Sequence, residues 1–86
     1  MDVVILKVSS NSNPNLVAGA LAGTIKEAGR AELQAIGAGA INQAIKAVAI
    51  TRNKMPDTDL ICIPFFADLK IDDSVRTSIK LVVEPR

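Results

Sequence analysis

Few side chains in this sequence are suited to chemistry, and they fall in three short stretches. The first is Gly37-Ala38-Gly39, which follows an alternating apolar segment and opens an apolar helical one. Such a turn can present backbone N–H groups and the positive end of a helix dipole to an anion. Asn42 stands where a dinucleotide fingerprint would place its third glycine, and the turn follows the second strand, not the first. A tight turn with close helix–sheet packing explains the same glycines, and both readings stand at this point. The second stretch is Ser9-Ser10-Asn11-Ser12-Asn13-Pro14-Asn15, polar and neutral. Asn13 before Pro14 makes an N-cap and first-turn pair, and the neighbouring N–H groups would be open to a phosphate. The third stretch, 68–76, carries Asp68, Lys70, Asp72, Asp73 and Arg76. Its carboxylates fit no calcium-loop spacing and have no nucleophile or base beside them. They suit a charged hairpin loop that discourages edge-to-edge pairing.

What is absent narrows the function further. There is no His, so there is neither an imidazole base nor a zinc site of the usual Cys/His kind. The single Cys62 cannot form an internal disulfide and sits among apolar neighbours as a core thiol. With no Trp, no Tyr and two Phe, the chain cannot build a base-stacking platform of several rings. These absences predict a non-enzymatic protein with no cofactor and no metal. The 86 residues make one small domain, 49% hydrophobic, with ten basic against nine acidic groups and a net charge of +1. A strongly basic nucleic-acid clamp is not implied by that balance. No apolar run approaches spanning length and Met1-Asp2 is not a basic leader start, which predicts a cytoplasmic chain with no membrane contact.

The elements that must position these groups follow from periodicity. Residues 3–8 are β-branched and apolar and predict a buried strand. A helix is expected over 14–28, stopped by Gly29, with Val17, Leu21, Ile25 and Ala28 on one stripe. Its other side carries Leu16, Gly19, Ala20 and Gly23, small enough to let a second helix or another subunit approach. Residues 32–36 alternate as strand two. A second helix is expected over 40–53, apolar round most of its circumference. One sheet face cannot cover such a helix, so part of its cover is expected from a second copy. Residues 60–66 predict a buried strand three, with Pro64 at a bulge or local edge. Residues 68–76 predict a hairpin loop and 77–84 a fourth strand, with Ile79, Leu81 and Val83 on one face. The fold class is therefore a two-layer α/β (α+β) domain of order β-α-β-α-β-β, two helices on one face of a mixed four-stranded sheet. The open face would carry Lys7, Gln34, Lys80 and Glu84 among Val3, Ile5, Ile36 and Val82.

Several of these stretches resemble a known family. Ser12-Asn13-Pro14-Asn15 with Val17-Ala18-Gly19-Ala20-Leu21-Ala22-Gly23 looks like the first helix of the stage V sporulation protein S family. Gln34-Ala35-Ile36-Gly37-Ala38-Gly39-Ala40, Asn42-Gln43-Ala44 and Lys46-Ala47-Val48-Ala49-Ile50 resemble its central segment. Asp59-Leu60-Ile61-Cys62-Ile63-Pro64 and Val83-Glu84-Pro85-Arg86 resemble its C-terminal half. The resemblance implies a regulatory role in bacterial sporulation or development. It also implies an Alba-like fold, a homodimer or larger homo-oligomer, and binding of DNA or RNA. Alba proteins bind through the first loop, the start of the second helix and a hairpin arm. The matching places are Ser9 to Asn13, Gly39 with Gln43, and the hairpin Asp68 to Arg76, with Ser10, Asn11, Asn13, Gly39, Gln43, Lys70 and Arg76 as candidate contacts. Lys46 is a further candidate from the residues themselves, in a basic track with Arg52 and Lys54 that Asp57 and Asp59 dilute. The first loop here has no Lys or Arg, and Gly39 and Gln43 stand where Alba is basic. Expected self-association surfaces are Leu16, Gly19, Ala20 and Gly23 on the first helix and Ile41, Ile45 and Val48 on the second. A scaffold that assembles without nucleic acid, and a binder of a small anionic ligand at the 9–15 and 37–39 loops, are the alternatives.

Overall fold

In the computed structural model, which describes residues 4–86, the elements run β1 (Ile5–Val8), α1 (Pro14–Ala28), β2 (Ala31–Ala35), α2 (Ala38–Lys54), β3 (Leu60–Ile71) and β4 (Ser74–Pro85). The expected order β-α-β-α-β-β and two-layer α+β architecture hold. The expectation for Val3 lies outside the described residues. The sheet order is β1-β2-β4-β3. β1 and β2 are parallel, and β4 runs antiparallel to both β2 and β3. It follows that β1, β2 and β3 all point the same way. Their C-terminal ends, with the β3–β4 turn, lie at one end of the sheet.

Side-chain alternation explains the two faces. Val8, Ala31, Leu33, Ala35, Leu60, Leu81 and Val83 form the core with Leu21 and Ile25 of α1 and Ala40 and Ala44 of α2. On the other face, Lys7 pairs with Gln34, Gln34 with Lys80, and Lys80 with Phe65, a row across all four strands. Beside that row Glu32 is held by Lys80 at 3.6 Å and Arg30 at 3.7 Å.

α1 behaves as the sequence requires. The Asn13 side chain accepts the Asn15 N–H at 2.9 Å, and Gly29 closes the helix in the left-handed region. α2 is used on two sides within the chain. The buried small residues Ala18 and Ala22 of α1, and Ala44, Ala47 and Thr51 of α2, let the helices approach closely. The Thr51 hydroxyl lies 3.3 Å from the Ala18 carbonyl and 2.8 Å from that of Ala47, a donor shared between helices. Much of the cover expected from a second copy is thus supplied by α1. Gly19, Ala20 and Gly23 do not face α2; they are exposed, and a methyl added at either glycine would meet nothing within 4 Å.

Three boundaries differ from the expectation. α2 opens at Ala38, before the expected start at 40, because Gly37 alone makes the break, with φ 88, and Gly39 is already helical. β2 begins at Ala31 and ends at Ala35. The segment 68–76 is mostly strand, not loop. β3 and β4 each have 12 residues and stay in register from Leu60↔Pro85 to Ile71↔Ser74. Only Asp72 and Asp73 turn, both with positive φ (47 and 63), as the tight right-twisted hairpin turn demands. Asp tolerates that region through local hydrogen bonding, which is why two aspartates close the hairpin. The register runs unbroken through Pro64, so it marks an edge and not a bulge: β3 is the outer strand, and beyond Leu60 it is not buried as expected, with 63–66 exposed.

Candidate nucleic-acid interface

The hairpin outruns the rest of the sheet. β2 pairs with β4 only from Ile79 to Val83, so the ladder from 66 to 79 outward is a two-stranded arm. The arm tip, the loop after β1 and the opening of α2 share one end because three strands are codirectional. A groove of about 440 Å³ lies between the first loop and the arm, lined by Lys7, Ser9 and Ser10, by Gln34 and Ile36, and by Leu69, Lys70 and Ile71.

The 9–13 loop is fixed from within and from α2. The Ser9 N–H donates to the Ser12 hydroxyl at 2.9 Å, and the Asn11 N–H to the Ser9 hydroxyl at 3.3 Å. The Gln43 amide donates to the Ser12 carbonyl at 3.0 Å. Gly39 sits against Ser10 so closely that a Cβ there would lie 3.0 Å from the Ser10 Cβ. A side chain at Gly39 would have to push Ser10 aside by a few tenths of an ångström, so glycine suits the close approach of the first loop to the first turn of α2. That turn has no side-chain cap, and the partial positive charge of its N–H groups remains at this end.

The expected site residues divide accordingly. Ser10, Gly39, Gln43 and Lys70 are brought together around loop, helix start and arm. Asn13 acts as the α1 cap, and Gln43 as the tie to the loop, so part of each side chain's hydrogen-bonding capacity is already used. Asn11 is exposed in the same loop. Lys46 is exposed on α2, about 10 Å beyond Gly39 along the axis. Arg76 pairs with Leu69 in the arm and shares the open-face alternation with Lys80. Arg52 and Lys54 do not join this set: they end α2, where Arg52 lines a separate shallow groove with Asp57 and Asp59. The sequence reading missed Lys7, Gln34, Ile36 and Leu69 as groove residues. Lys7 and Gln34 were visible as open-face positions, but the reach of the arm over them was not. Cys62 is partly buried on the core side, and burial pushes its thiol up from the ordinary value, as suits an unreactive group.

Among the described residues no group of three or more His, Cys, Asp and Glu is placed to hold a metal ion. No described helix is long and apolar enough to cross a membrane. The family model of stage V sporulation protein S matches residues 4–86. The chain belongs to the stage V sporulation protein S family. Membership ties it to sporulation, and the match spans every element described above, the groove and the arm included.

Proposed function

We propose that this family member is a non-enzymatic, cytoplasmic regulator that binds nucleic acid as a homodimer or larger homo-oligomer. The observation that carries this is the groove between the first loop and the arm, flanked by Lys7 and Lys70, with the uncapped start of α2 packed against that loop at Gly39 and Gln43. Backbone N–H groups and a few cations suit phosphates, and the contacts per chain are few. Binding is therefore weak per subunit and salt-sensitive, and oligomerisation multiplies it. The test is gel-shift or filter binding to DNA and RNA at low salt, with protein whose mass has been fixed by light scattering. Absence of binding to both would remove the proposal.

Assembly without nucleic acid is the second reading, and exposed apolar residues favour it. Leu16 is 75% exposed on α1, while Ile45 is 48% exposed on α2 and Phe66 78% exposed on the outer strand. Phe66 shares its strand face with Cys62, on the helix side, where the two helices leave β3 largely uncovered. Ile45 on α2 and Phe66 on this strand would be the apolar residues left for a second copy, with Ile41 and Val48 partly buried beside Ile45. A small anion at the 9–13 loop and the α2 start is a narrower version of the same site. A thermal shift with inorganic phosphate, in the absence of any shift in nucleic-acid binding, would favour it.

A further inference from the structure

The groove between arm and sheet is not a plain phosphate track. Ile36, Leu69 and Ile71 give it apolar walls, and Lys7 and Lys70 are its exposed cations. Gln34 lines it too, although only 8% exposed. None of the side-chain hydrogen bonds between described residues uses the Gln34 amide. Among the described residues no buried side-chain N or O atom is sealed without a partner, so that amide keeps some contact with solvent in a residue that lines the groove. A carboxamide that has lost most of its water and gained no protein partner is poised for a ligand's donor and acceptor.

We infer that this groove takes one unstacked base of a single-stranded nucleic acid, so that the protein prefers single strands to duplex. The inference rests on the nucleic-acid reading above. A carboxamide can pair with the donor–acceptor edge of a base, as Asn and Gln do. Aliphatic side chains cover the ring faces, and the two lysines meet the flanking phosphates. In a duplex the bases are stacked and paired, and none of them can enter a groove bounded by an arm and a sheet. A net charge of +1 leaves phosphate contacts alone poor, and a base contact adds what charge does not supply. The row Lys7, Gln34, Lys80, Phe65 continues across the open face and offers an exposed ring for a neighbouring base.

The test is fluorescence anisotropy of the full chain at low salt with three labelled probes of about 16 nucleotides, in RNA and in DNA. They are a mixed-sequence single strand, the same backbone with abasic residues, and the duplex. The single strand is expected to bind about tenfold more tightly than the other two. Gln34→Leu is expected to erase that difference while leaving abasic binding unchanged, and Gln34→Glu to erase it in a side chain of the same size. Thermal melts of both variants confirm the fold. Equal affinity for all three probes, or a difference that survives both substitutions, overturns the base pocket and leaves nucleic-acid binding standing. Adenosine monophosphate competing as well as the strand overturns the strand assignment. Failure of every probe to bind removes the nucleic-acid reading and the pocket with it.

Discussion

At the scale of single residues, the backbone explains more than the charges do. Gly39 lies close against Ser10, whereas a methyl at Gly19 or Gly23 would meet no described residue within 4 Å. Helical glycine costs about 1 kcal/mol against alanine. Gly19→Ala and Gly23→Ala are each expected to raise the melting temperature by about 4–8 °C in so small a domain. Differential scanning calorimetry measures this; a loss of stability would show that the glycine face is packed against a second copy. Asp73 has φ 63 at the second turn position, where glycine is the better residue. Asp73→Gly should stabilise the hairpin by up to about 1 kcal/mol, read from urea unfolding. The caps were legible in the sequence: Asn13, Pro14 and Gly29 do what their types require. The contact of Gly39 with Ser10 was not, because it joins residues far apart in the chain.

At the scale of elements, both helices and all four strands were readable from periodicity, and the arm was not. Residues 68–76 look like a loop because Asp68, Lys70, Asp72, Asp73 and Arg76 interrupt the apolar pattern. An arm with little core to face has no buried side to enforce alternation, so its strands carry no pattern. Ser78, fully buried with its hydroxyl on the Ala67 carbonyl at 2.8 Å, marks the inner limit of the arm. Core residues of β3 and β4 (Leu60, Leu81 and Val83) all lie inside that limit. Replacing 69–76 by a short turn is therefore expected to leave a folded domain with a cooperative melt. The same change should weaken nucleic-acid binding at least tenfold, measured by filter binding. Retained binding would show that loop and helix suffice without the arm.

At the scale of the whole molecule, a small two-layer domain covers one face of its sheet with helices and leaves the outer strand and the other face without them. The helices share their small-residue seam with each other, and the flank of α2 and the helix side of β3 keep Ile45 and Phe66 in water. Ile45→Glu with Phe66→Glu is expected to give a folded monomer by light scattering where the parent is a dimer or larger. An unchanged mass would move the assembly surface to Leu16 and the glycine face of α1. Net charge was legible from the start, but its meaning depends on topology. Codirectional β1, β2 and β3 gather Lys7, Lys70, the first loop and the α2 start at one end, while Asp57 and Asp59 lie with the other end of α2. The most direct measurement is the salt dependence of nucleic-acid affinity for the parent chain and for Lys70→Ala with Arg76→Ala, at equal oligomeric mass. Measurable low-salt binding is expected, and the double variant should weaken it and flatten the log–log slope by about 2 per chain. An identical slope and affinity in the two proteins would contradict an interface built on the arm.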